Sequence, residues 1–176
     1  MSIGLSENFM SENKGKSVSK KKSPKEQSSI ISIGSKYGQI EIDIKQAVLF
    51  PYGLLGMPNN TDYVITHFPK PNMEQFKLFQ NLNDHELSFA VLPIATNSEI
   101  YDQADINEAC EIIEIKKDDL LMLAIISVQR TIEEIKVTAN IRAPLMIDSA
   151  RKLGVQYVFP SNKYDIRHVL SKKKNS

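Results

Sequence analysis

The chain has a single cysteine, Cys110, and no tryptophan among its 176 residues. One thiol excludes an internal disulfide framework and is compatible with a reducing compartment. No apolar run approaches the roughly 20 residues that a bilayer-spanning helix needs. The opening residues, MSIGLSENFMSENKGKS, lack the charged start, apolar centre and small-residue cleavage site of a secretory leader. The expected location is therefore cytoplasmic, with no membrane partner.

Chemistry-bearing motifs are missing as well. There is no G-x-S-x-G elbow, no H-E-x-x-H and no dinucleotide fingerprint. The Gly15-Lys16-Ser17 triplet imitates the end of a phosphate-binding loop, but position 10 is Met where that loop needs glycine, and strand and helix flanks are absent. His67, His85 and His168 are not spaced as a helical zinc pair, and Cys110 has no second cysteine. Carboxylates cluster at Asp84/Glu86, Glu111/Glu114, Asp118/Asp119 and Glu133/Glu134, in polar turns or beside lysines, which reads as a solvated face rather than an acid–base pair. No catalytic residue, metal ligand or cofactor is expected, and the chain does not read as an enzyme.

What is present begins with an uneven charge distribution beneath a net charge of +1. Residues 1–28 carry six lysines against three glutamates, with hardly any aromatic residue, too little apolar surface to offset the entropy of ordering the chain. That segment is expected to be a disordered tail, and residues 171–176, SKKKNS, a short basic one. The folded part is expected over residues 29–170, which hold 13 basic and 18 acidic side chains. A net of −5 argues against a nucleic-acid-binding core and suits a basic partner. An RNA-binding module acting through the two basic tails is the alternative reading.

Periodicity in the middle is β-like. Ile40, Ile42 and Ile44 alternate with Glu41, Asp43 and Lys45 after a Ser35–Gly38 turn, which predicts a hairpin with a wet side. Further strands are predicted at AVLFP, 63–68, 76–81, 87–94, 120–128, 135–141, 145–147 and 155–159, mostly separated by Pro, Asn, Asp or Gly. Phe76, Phe79 and Phe89 sit in these apolar patterns and read as core. One short helix is expected within Asp102–Asp119, with Asp105 as its N-cap and Glu108 completing a box-like arrangement. The predicted class is mainly β, a small antiparallel β-barrel or roll with at most one or two short helices.

Two stretches need a separate explanation. "FPYGLLGM" (50–57) packs one proline, two glycines and five large apolar or aromatic residues into a strand end. Pro51 forces a turn, and Gly53 and Gly56 permit backbone angles other residues resist. In "VTANIRAPLMID" (137–148), Pro144 has no N–H for a ladder and marks an edge, bulge or crossing, where Asn140 is placed to bond stranded backbone groups.

With "ISIGSKYGQIEID", "FKLFQNLNDHELSFAVLPI", "VQYVF" and "YDIRHVL", these stretches resemble, in order, the motifs of the FliW family of flagellar assembly factors. The resemblance implies a β-rich, non-catalytic cytoplasmic protein that binds flagellin and antagonises the translational regulator CsrA, so coupling flagellin translation to secretion. It points to Phe50, Pro51, Gly53, Leu54 and Gly56 in the first motif, and Asn140, Ala143 and Pro144 in the second, as partner-binding or scaffold positions. Departures from the pattern include Met57, Asn81, Arg142, which adds positive charge beside the second motif, and Asp148.

Overall fold

A computed structural model describes residues 29–174, so the lysine-rich segment 1–28 lies outside the described residues. The described chain runs β1 (Ile30–Ser35), β2 (Gly38–Asp43), a 3-10 turn (Ile44–Gln46), β3 (Val48–Leu49), β4 (Asp62–His67), β5 (Lys77–Asn81) and β6 (Ser88–Ile94). It continues through α1 (Gln103–Ile112), a second 3-10 turn (Lys117–Asp119), β7 (Leu120–Arg130), β8 (Glu134–Asp148), β9 (Leu153–Gln156) and β10 (His168–Lys174).

The alternating isoleucines give the expected hairpin, β1 against β2 in register from Ile30↔Asp43 to Ser35↔Gly38. Ile40 and Ile42 are buried against Val64 of β4 and Leu78 of β5, while Glu41 faces water. Ile44 leaves the alternation because the Asp43 carboxylate accepts from the Lys45 N–H at 3.0 Å, which starts the 3-10 turn and exposes the isoleucine.

The other strands lie in the order β8-β7-β6-β5-β4-β3-β9, and β9 pairs back onto β8. These seven strands close a barrel, with β10 added outside along the first half of β8. The mainly β barrel with one short helix is the architecture that the strand spacing predicted. Apolar runs such as LLMLAII are buried on both faces. Leu123, Leu145, Ile147, Tyr63, Phe79 and Val91 form one core cluster. Met122, Ala124 and Met146, on the opposite faces of β7 and β8, meet Ile106, Ala109 and Cys110 of α1.

Three expectations need correction. The helix begins after Asp102 rather than Asp105, and its cap makes no side-chain bond to the helix. Asp105 instead accepts from the Lys163 ammonium at 2.6 Å and from the Tyr164 hydroxyl, bonds that hold its carboxyl below the ordinary range, Lys163 foremost. A tertiary partner thus outcompetes the local box. The ninth strand spans Leu153–Gln156 rather than 155–159, because Tyr157 and Phe159 bond the β8 kink described below. Residues 171–174, expected in a tail, complete β10, where Lys172 pairs with Lys136 and Lys173 with Ile135. Lysines on an outer strand discourage edge-to-edge association.

Candidate partner-docking site

The FPYGLLGM segment is two turns fused together. The Gly53 N–H donates to the Phe50 carbonyl at 2.8 Å, closing a turn over Pro51 and Tyr52. Leu54 and Met57 then exchange backbone bonds at 3.2 and 2.8 Å around Leu55 and Gly56. Gly53 (φ 62°) has no room for a side chain, since a Cβ there would sit 2.2 Å from the Met57 carbonyl oxygen. Gly56 (φ 81°) needs only the angle, with open space around it.

These turns sort the apolar residues into two sets. Phe50 is fully buried, edge-on to Phe79 (ring centroids 5.3 Å) and Tyr63 (5.7 Å), with the latter two stacked at 4.2 Å. Leu54 is buried beside it, and Met57 is half-buried against the same core. Tyr52 and Leu55 point outward, 81% and 59% exposed. Phe50 also occupies the space over Gly154 of β9, where a Cβ would fall 2.4 Å from the ring.

The second stretch is a bulge in β8. Leu123 pairs with Leu145 and Ile125 with Asn140, so Ala124 alone faces residues 141–144. Every backbone group in that excess is satisfied elsewhere. The Ile141 and Arg142 N–H groups donate to the Asp165 carbonyl at 3.0 and 3.2 Å, and that of Ala143 to Asn140 Oδ1 at 3.0 Å; Pro144 has none to place. The carbonyls of 141–144 accept in turn from the Tyr101 hydroxyl (2.7 Å), Phe159 N–H (2.9 Å), Gln156 Nε2 (3.2 Å) and Tyr157 N–H (3.0 Å). Such accounting is what a buried break in a ladder requires.

Gln156 joins the two motifs. Its Oε1 accepts from the Leu55 N–H at 2.9 Å while its Nε2 donates to the Ala143 carbonyl. The bridge links residues 101 positions apart, and only its place in "VQYVF" hinted at it. Gln156→Ala should cost about 1 kcal/mol, since it removes two hydrogen bonds, of which water can replace the exposed one at Leu55. Urea unfolding gives the loss, and faster hydrogen exchange at the Leu55 amide localises it.

Of the residues singled out in the sequence, Phe50, Gly53, Leu54, Ala143 and Pro144 are buried and Asn140 is half-buried, so they shape the surface from beneath; Pro51 and Gly56 are exposed. The outward groups beside them are Tyr52, Leu55 and Ile112 at the end of α1, the last 61% exposed. A groove of about 340 Å³ runs between Tyr52, Ile112, Ile113, Leu153 and Val155, with Glu114 and Arg151 on its border. A second, of about 380 Å³, lies beneath Leu55 between Tyr52, Pro58 and Gln156.

The groove floor is held by an ion pair. Asp148, 3% exposed, accepts from the Arg151 N–H at 2.7 Å and its Nε at 2.6 Å, and the same guanidinium reaches the Glu114 carbonyl. The Arg151 backbone bond, then the side-chain bond, hold the Asp148 carboxyl below its ordinary value of 3.8. A depressed carboxylate stabilises the fold fully above about pH 4, and that contribution is lost as pH falls through the lower native value. Asp148→Asn is therefore less stable than the parent at neutral pH, and the gap closes in acid, as urea melts on either side of that range will show.

Next to the groove lies a concentrated negative face. Residues 102–119 hold seven carboxylates and two lysines, a net of −5, which equals the net of the whole 29–170 region. Glu108, Glu111, Glu114 and Asp118 are exposed and form no ion pair among the described residues. The Lys117 ammonium goes to the side-chain carbonyls of Gln103 (2.9 Å) and Asn107 (3.0 Å) instead. Cys110 lies inward, its thiol pushed up by burial, and no group of three or more metal-ligating side chains is assembled among the described residues. The arrangement is suited to holding another protein by apolar contact and charge.

Comparison with known proteins supplies the family. A flagellar assembly factor FliW from Clostridium botulinum (strain Alaska E43 / Type E3) is 27% identical over 142 residues, 80% of this chain and 98% of the relative. One from Alkaliphilus metalliredigens (strain QYMF) is 30% identical over 135 residues, 76% of this chain and 82% of the relative. A crystal structure of the flagellar assembly factor FliW superimposes with a TM-score of 0.61 at 26% identity, covering 79% of this chain and 96% of that one. The FliW protein family model matches residues 33–170, so the chain belongs to the FliW family and is a flagellar assembly factor.

Proposed function

We propose that this chain is a non-catalytic cytoplasmic chaperone and regulator that binds flagellin and antagonises CsrA, coupling flagellin translation to its secretion. The observation that carries this reading is the set of exposed carboxylates Glu108, Glu111, Glu114 and Asp118, without an ion pair among the described residues, beside exposed Tyr52, Leu55 and Ile112. An RNA-binding regulator is typically basic, and a clustered negative face accelerates and orients its encounter. The apolar groove between the FPYGLLGM loop and α1 offers a non-electrostatic surface for flagellin. In this scheme free flagellin occupies the protein, and its export releases the protein to sequester CsrA.

Leu55→Asp tests the apolar part. It adds charge at an exposed position while leaving the Leu55 N–H bond to Gln156 available. Flagellin affinity should fall about tenfold or more, as for loss of a buried interface anchor, with the melting temperature unchanged. Undiminished flagellin binding by this variant would remove the loop from the interface.

A further inference from the structure

We propose that a separate groove, between the β8 kink and residues 162–167, holds an acidic, extended segment of a partner protein. The groove measures about 650 Å³ and is lined by Arg142, Asn162, Tyr164, Asp165, Ile166 and Arg167. Arg142 is half-buried, fixed there because its own N–H is committed to the Asp165 carbonyl across the bulge. Neither its guanidinium nor that of Arg167 has a hydrogen bond or ion pair with any described residue. The Asp165 carboxylate lines the groove but is within ion-pair distance of neither. Lys163, the next cation along, is taken by Asp102 at 2.5 Å and Asp105 at 2.6 Å.

A half-buried cation without a counter-ion bears a desolvation cost that an incoming anion relieves. Guanidinium forks match carboxylates in shape, and Ile166, 61% exposed, offers an apolar contact between them. Protein is favoured over RNA by two features. The groove's single aromatic ring, Tyr164, is 4% exposed and presents no face on which a base could stack. Moreover, Lys163 ties this segment to the acidic end of α1, which repels a dense phosphate backbone more than a few spaced carboxylates. A basic partner such as the one proposed for α1 has no use for this surface, so the inference stands independently of that reading.

The test is fluorescence anisotropy of the full chain with a labelled ten-residue peptide of Glu and Asp around one leucine, beside its Gln/Asn counterpart, at low salt. The acidic peptide binds and its amide counterpart does not. Arg142→Gln with Arg167→Gln weakens binding about tenfold or more, consistent with losing two charge-assisted contacts. Arg167→Glu alone, at an exposed position that the fold does not need, also weakens it, whereas Lys136→Gln with Lys172→Gln leaves it intact. Equal binding by the arginine variants, no binding by the parent, or a ten-nucleotide RNA that binds this site in place of the peptide would overturn the proposal.

Discussion

Gly53→Ala should be among the most damaging single substitutions in the protein, costing roughly 2 to 5 kcal/mol. A left-handed angle on a residue with a Cβ costs about 1 to 2 kcal/mol, and overpacking a closed site adds about 1 to 3. Here the obstacle is backbone, the Met57 carbonyl oxygen at 2.2 Å and Pro58 Cα at 2.7 Å, so no side chain can swing aside. At about 2 to 4 °C per kcal/mol for a domain of this size, the melting temperature falls by ten degrees or so. Gly56→Ala is the control three positions on, where only the angle matters and the loss stays within about 2 kcal/mol. Thermal melts of the two variants decide the matter, and equal losses would show that the loop can relax around Gly53.

The largest functional effect is expected from Glu108→Lys, Glu111→Lys and Glu114→Lys together. None of the three glutamates is buried or ion-paired among the described residues, so their replacement leaves no orphaned partner. Glu111 lies in the last turn of α1 and Glu114 just beyond it, with no basic residue in that turn. Carboxylates at a helix C-terminus oppose the helix dipole, so lysines there should leave stability unchanged or raise it by a few tenths of a kcal/mol. CsrA binding should meanwhile fall about a hundredfold, mostly through a slower on-rate, and lose its salt dependence. Stopped-flow association at two ionic strengths, with a thermal melt beside it, separates the outcomes. A gain in stability with intact CsrA binding would mean that the acidic helix faces no such partner.

The strands were readable because their signal is local. Alternating isoleucines gave β1 and β2, and Pro144 announced the β8 bulge through its missing N–H. Contacts that depend on distant residues were not readable. Asp105 lost its expected cap role to Lys163 and Tyr164, and Gln156 gained its role by spanning two motifs that are far apart in sequence. Gly154 looks like a small strand residue until Phe50 is found lying across it. The polar composition of His168–Lys174 hid β10, because an outer strand needs lysines for protection more than apolar residues for packing. At the proposed docking surface, the motif residues are mostly its foundation, while Tyr52 and Ile112, which face outward, carry no motif weight of their own.

The most direct measurement is calorimetry in which the full chain is titrated with monomeric flagellin and, separately, with CsrA, each at low and moderate salt. Binding of both is expected, with the CsrA interaction weakening as salt rises because exposed charges carry it. Absence of heat from either partner at micromolar concentration, with the chain folded, would contradict the proposed function outright.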